Sequence, residues 1–281
     1  MSAYCCAGMP RFDNMSNLGE RAYAGVLMLG RGVTVLAGLA VWVVLWWGVV
    51  RIFGISADFL PSPADVFSSL TRLVTHSIGE GPLHVHVVAS FLRFMGGFVL
   101  AVVVGIPLGF IMGQYRLLDW ALNPIFESVR YIPPIAWAPF AILWFGANFG
   151  AQTFVIFIST LPPILISAYR AMQSVDPSLI AAARTLGASN RTIILEAGLP
   201  SSVPVLVSGL RIGVATGWMA LIAAEIVAGT GARAGLGYLI LIGQQTLQAG
   251  ITIGVMLVIG VLGGALDYAL QLLERRVMHW R

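Results

Sequence analysis

The chain has 281 residues, 58% of them hydrophobic and only 10% charged, with a mean hydropathy of +0.88 and a net charge of +4. Soluble domains carry about 25% charged residues, so the composition excludes an ordinary water-soluble fold and predicts an integral membrane protein. All sixteen basic residues are arginine; without lysine the chain cannot build a P-loop ATPase site, which needs one on the nucleotide phosphates.

The arginines are scattered among apolar spans, which argues for a topological charge bias and against nucleic-acid binding. Cys5 and Cys6 are adjacent, so they offer neither a long-range disulfide framework nor metal-ligand spacing.

Residues 1–32 are mixed and polar and read as a cytoplasmic tail; a secretory signal would place its apolar core closer to the start. Residues 33–281 then form one membrane domain. The first span is Val33–Phe53, with Arg51 at its far end. Residues 54–85 are the longest soluble stretch between spans, opening on Leu60-Pro61-Ser62-Pro63 and continuing as an amphipathic helix with Val66, Leu70 and Leu73 on one face. His84 and His86 stand two apart with no carboxylate beside them, which argues against a metal site.

The second span covers about 87–112, where Gly96, Gly97, Gly105 and Gly109 give a small-residue face for close helix packing. The third, 120–146, is broken by Pro133-Pro134. Such breaks are tolerated in a membrane only where the freed backbone groups face protein or a water-filled cavity. Glu127 and Arg130, three apart before the break, can pair with one another or leave Arg130 to attract an anion. Trp137 and Trp144, seven apart after it, share a helix face.

The fourth span is 152–168, with Pro162-Pro163 inside it. The fifth is 203–228 and contains Arg211 and Glu225, which are too far apart along the helix to pair with one another and should each meet another helix. Residues 230–248 are Gly-rich and polar at both ends, the pattern of a re-entrant or interfacial segment; the sixth span is 249–270. The expected fold is therefore all-α and polytopic, with about six transmembrane helices. With both termini inside, Arg11, Arg21, Arg31, Arg116, Arg170, Arg184, Arg191, Arg275, Arg276 and Arg281 fall on the cytoplasmic side and only Arg51, Arg72 and Arg233 outside, the orientation the positive-inside rule selects.

Between the fourth and fifth spans lies a polar island, 174–200. Asp176-Pro177 reads as an N-cap and first helical residue, and Gly187 as a left-handed C-cap. The helix between them, about ten residues, is too short to cross a bilayer. It is built as a cytoplasmic docking element.

This island resembles the cytoplasmic signature of permease subunits in binding-protein-dependent ABC importers: Glu-Ala-Ala, three residues, Gly, nine residues, Ile-x-Leu-Pro. The matching positions are Ala182, Ala183, Gly187, Leu199 and Pro200, with Ala181 standing where the family often has Glu and Ala197 where it has Ile. FLPSP, GIPLG, YIPPIAWAP, RTLGAS, GLRIG and GLGYLI, in order over residues 59–240, are similar to the nitrate, sulfonate and taurine permease subfamily.

The resemblance implies a type I importer permease of the cell inner membrane, with two six-span chains, expected to be identical, lining one path. Two ATPase subunits would grip the islands at Ala181, Ala182, Ala183, Gly187, Leu199 and Pro200, and an extracytoplasmic binding protein would deliver the solute. No cofactor is expected on this chain; ATP and Mg belong to the ATPase partner. The subfamily implies a small anion, alkanesulfonate or taurine first and nitrate or bicarbonate next. Glu127, Arg130, Trp137, Trp144, Arg211 and Glu225 are the candidate path residues. A secondary transporter driven by an ion gradient is the alternative. An embedded enzyme is disfavoured, because no nucleophile, metal or acid–base motif is present.

Overall fold

The architecture follows from where prolines and glycines interrupt or permit apolar helices. The computed structural model describes residues 13–78, 81–174, 177–189, 192, 199–228 and 234–277. Five helical stretches among them are long and apolar enough to cross a membrane: Val33–Phe53, Leu83–Gln114, Phe149–Gln173, Ser202–Ala228 and Ala249–Arg276.

Helix α1, Asp13–Phe53, has no proline anywhere along it. Residues 13–32, expected as a tail, therefore continue the helix of the first span. Helix α2, Pro63–Thr75, starts in a capping box: the Asp65 N–H donates to Ser62 Oγ, and Ser62 N–H and Oγ–H both donate to Asp65 Oδ2. The Ser62 hydroxyl in particular holds the Asp65 carboxyl below the usual carboxylate range. The face predicted for this helix is the one it buries, through Val66 and Leu73.

The centre is a layer of three helices: α3 (Leu83–Gln114), α6 (Phe149–Gln173) and α8 (Leu199–Ala228). Glycines bring them together. A Cβ on Gly97 would lie 2.6 Å from Ile156 Cβ, and one on Gly109 would lie 2.5 Å from the Leu165 carbonyl oxygen. On its other side α6 meets Gly209, Gly213 and Gly217 of α8, where a Cβ on Gly213 would lie 2.9 Å from Ile164 Cγ1. Without side chains between them the backbones approach closely, the packing mode that membrane helices rely on. Gly109→Val should therefore force α3 off α6, and overpacking of this kind costs about 1–3 kcal/mol or more. A lowered melting temperature in detergent checks this.

The third span is broken at Pro133-Pro134, as expected. It is not one interrupted crossing but two short helices, α4 (Arg116–Val129) and α5 (Pro134–Phe145), joined by a turn at residues 130–133. Pro133 and Pro134 both lack the N–H that would continue the ladder, and Pro disfavours helical backbone in the residue before it. Each helix alone falls short of a bilayer.

Helix α7, Pro177–Thr185, is the short helix of the polar island. Helix α9, Leu236–Gln245, has ten residues, about 15 Å, as a re-entrant or interfacial segment requires. Helix α10, Ala249–Val277, closes the bundle. Phe94, Ile156, Trp218, Leu221, Leu236 and Leu239 form the main buried cluster, joining α3, α6 and α8 to α9.

Candidate functional site

Three features could carry function: a cavity beside α6, the exposed island helix, and a buried ionic cluster at the α9 end of the bundle.

The cavity holds about 340 Å³ and lies among α4, α5, α6 and α8. Helix α6 supplies Ser159, Pro163, Ile166 and Arg170, which are spaced by four, three and four residues and so share one face. Pro162 and Pro163 have no N–H to give, so the carbonyls of Ile158 and Ser159 lose their helical partners where both residues line the cavity. That is the setting in which a membrane helix tolerates such a break. Thr216 and Ile212 of α8 line the cavity beside this face, the Ser159 hydroxyl donating to the Thr216 carbonyl at 3.4 Å.

Two arginines line this space. Arg130, in the turn after α4, reaches Glu127 at 3.1 Å and the Tyr131 hydroxyl at 3.2 Å. Arg170 lies on the last turn of α6 and is exposed, and its guanidinium forms no hydrogen bond or ion pair among the described residues. With one arginine compensated and the other free, the cavity carries a net positive charge. Neither Arg170 nor Ser159 stood out in the sequence as a path residue; the usable signal was their shared helical face with the proline pair.

The structure sorts the other predicted path residues. Trp137 lines the cavity and packs against the small-residue cluster of α5, α6 and α8. Trp144 instead lies near the far end of α5, 59% exposed, with its ring 5.7 Å from that of Phe154. Glu127 is present only through Arg130. Arg211 is not in the cavity: its Nε and Nη2 grip Asp267 of α10 at 2.9 and 3.2 Å, and Nη1 lies 3.6 Å from Glu274. Asp267 is 56 residues away from its partner and nothing local in the sequence announced it.

Glu225 is not in the cavity either. It is fully buried at the α9 end, accepting from Arg93 at 2.9 Å, from Ser90 Oγ at 2.7 Å and from the Gly237 N–H at 2.8 Å. The Leu236 N–H donates to Ser90 Oγ, and the Gly235 N–H donates to His86 Nδ1 at 3.0 Å. Because Nδ1 accepts, Nε2 carries the proton and donates to the Ile78 carbonyl at 2.9 Å. The first N–H groups of α9 are thus capped by three side chains from α3 and α8. Both ring nitrogens of His86 are used in this way, which leaves the ring no lone pair for a metal.

At the other end of the bundle, α7 ends in a Schellman motif. The Gly187 N–H donates to Arg184 O and the Ala188 N–H to Ala183 O, each at 3.0 Å, with Gly187 at φ +82°. Ala181 and Ala182 are exposed, and Leu186 is 88% exposed. Leu199 and Pro200 open α8. The expected N-cap Asp176 and the position Ala197 lie outside the described residues.

The chain is similar to known proteins over most of its length. Residues 105–279 match the family model described as "Binding-protein-dependent transport system inner membrane component". The chain is 36% identical over 238 residues to a putative ABC transporter permease protein of Methanocaldococcus jannaschii, covering 85% of this chain and 88% of that one. It is 34% identical over 254 residues to the taurine transport system permease protein of Escherichia coli, covering 90% and 91%. It is 33% identical over 251 residues to the bicarbonate transport system permease protein of Synechococcus elongatus, covering 86% and 88%. Among solved structures, the inward-facing MetNI methionine ABC transporter superposes with a TM-score of 0.59 at 22% identity, covering 69% of this chain and 94% of that one.

Proposed function

Since the chain belongs to the family of binding-protein-dependent transport system inner membrane components, we propose that it is the permease subunit of an ATP-driven importer for a small organic or inorganic anion. Taurine or another alkanesulfonate is the first candidate, and bicarbonate or nitrate the next. The termini and α7 lie on the cytoplasmic side, as the arginine asymmetry favours. Two copies line one path, and two ATPase subunits grip the two α7 helices. A binding protein delivers the anion from outside. The ATP and Mg sites belong to the ATPase.

The observation that carries the substrate class is Arg170, a guanidinium without a protein partner among the described residues, on the wall of the α6 cavity. Ser159 and Thr216 also line it, their hydroxyls donating to the carbonyls of Thr216 and Ile212, so they add polarity and leave the anion to Arg170. The cavity reaches from Ile158 to Arg170 along α6, about 18 Å, so it runs toward the α7 end and suits release into the cytoplasm. Coupling is rigid-body: closure of the ATPases draws the two α7 helices together and reorients the bundles.

Uptake into proteoliposomes carrying the assembled complex tests the reading. Arg170→Gln should lower the rate of taurine uptake by about 10-fold or more, the size expected for one charge-assisted hydrogen bond, with the complex still assembled. Trp137→Ala should reduce uptake while leaving assembly intact. Unchanged uptake in both variants would remove the cavity from the path.

A further inference from the structure

The α6 face that lines the cavity continues beyond it. Gln152 lies seven residues before Ser159 on that helix, two turns and about 10 Å toward the α9 end, rotated by only some 20°. It is 1% exposed, and neither its carboxamide oxygen nor its nitrogen has a hydrogen-bond partner among the described residues.

Helix register gives its depth. Gly97 of α3 meets Thr153 and Ile156, and Gly217 of α8 meets Ile156 and Thr160. Carried outward, the same registers place Gln152 near the level of Arg93 on α3 and of Ala224, next to Glu225, on α8. At the depth of Gln152, next to the cavity's outer end, lies a seam of small buried side chains: Ala138 and Ala141 of α5, Ala151 and Val155 of α6, and Ala220 and Ala224 of α8. Trp137 packs against this seam from the cavity side.

A buried carboxamide without partners destabilises a helix bundle in a bilayer, where leucine or methionine would fill the same space without an unpaired polar group. Its presence needs a conformation in which it is paired. The seam is built from alanines and one valine, with Trp137 and Phe154 only at its margin, so parting α5 from α8 there separates small side chains rather than interdigitated large ones.

We propose that Gln152 is a second anion-binding station on the path, closed off in this conformation by the α5–α6–α8 alanine seam. When the seam opens to the outer side, the carboxamide N–H groups donate to the incoming anion, two turns of α6 outward from the cavity that holds it next. The Arg93–Glu225 ion pair at about the same depth is internally compensated, so the carboxamide itself supplies the donors. This assignment rests on the cavity being the inner part of the path.

The test uses the complete complex of permease, ATPase and binding protein, with Cys5 and Cys6 replaced by serine. The probe is 2-sulfonatoethyl methanethiosulfonate, a small anionic thiol reagent. Ser159→Cys should be modified in the nucleotide-free complex. Gln152→Cys should resist modification in that state and react when the ATPase is trapped with MgATP and vanadate. There it should react about five-fold faster or more with this reagent than with its trimethylammonioethyl counterpart, as a station on a path biased toward anions by the unpaired Arg170 guanidinium requires. Ala224→Cys on the facing wall of the seam should show the same dependence on trapping, and decides the matter where Gln152→Cys does not assemble. Modified Ser159→Cys with Gln152→Cys and Ala224→Cys inert in both states would overturn the outer station alone. So would equal or faster reaction of Gln152→Cys with the cationic reagent. An inert Ser159→Cys in the nucleotide-free complex would overturn the cavity itself and the station with it.

Discussion

Gly187→Pro should abolish both ATPase association and transport while leaving the membrane spans inserted. Gly187 sits at φ +82°, which the proline ring, fixed near −65°, cannot reach. Proline also removes the N–H that Gly187 donates to Arg184 O. The combined cost is about 3 kcal/mol or more, equivalent to over ~100-fold in occupancy of the docked shape. A helix of nine residues has little intrinsic stability to absorb such a loss. Gly187→Ala retains the N–H and meets only the left-handed penalty of about 1–2 kcal/mol, so it should fall between, near 10-fold. Co-purification of the ATPase with each variant reads the series in the order Gly, Ala, Pro. Normal recovery of the ATPase with Gly187→Pro would mean that the partner docks elsewhere.

Arg93→Ala should be the most destabilising single change outside the glycine contacts. Removing the guanidinium leaves the Glu225 carboxylate, at 0% exposure, with only Ser90 and the Gly237 N–H. An uncompensated buried charge of this kind costs about 3–5 kcal/mol. Glu225→Leu should be nearly as harmful, because it takes the carboxylate from the Arg93 guanidinium and removes one of the three side chains that cap α9. The double variant Arg93→Ala, Glu225→Leu should lose less than the sum of the two by about 1–3 kcal/mol, since the groups act as one unit. Melting temperatures of the four proteins in one detergent measure that coupling. Strict additivity would show that the pair contributes no joint stabilisation.

These two sites differ in how far the chain alone revealed them. The island was legible because its signals are local: a proline, a run of alanines and a glycine at fixed offsets. The glycine faces of α3 were legible for the same reason, and the four-residue repeat of Gly209, Gly213 and Gly217 on α8 carried equal information. The need of Arg211 and Glu225 for partners on other helices could be argued from burial alone. Which partners they take could not, because Asp267, Arg93 and Ser90 are brought in by helix register, which depends on the glycine contacts of several helices at once.

The proline pairs divide along the same line. Pro133-Pro134 marked a break, yet its outcome as two separate helices depends on α5 finding its own packing against α6 and α8. Pro162-Pro163, the same dipeptide, stays inside an unbroken α6. There α3 and α8 clamp the helix from both sides, and the two carbonyls freed by the prolines belong to residues that line the cavity. Gln152 was not legible either. An isolated glutamine near a helix start is unremarkable until burial and the lack of a partner are known together.

The most direct measurement is uptake of labelled taurine into proteoliposomes assembled from this chain with its ATPase and binding protein, under control of both ATP and ion gradients. The account predicts uptake that requires all three components and ATP, persists when proton and sodium gradients are collapsed, and is accompanied by no ATP hydrolysis from the purified chain alone. Gradient-driven uptake by the chain alone, without ATPase or binding protein, would contradict it.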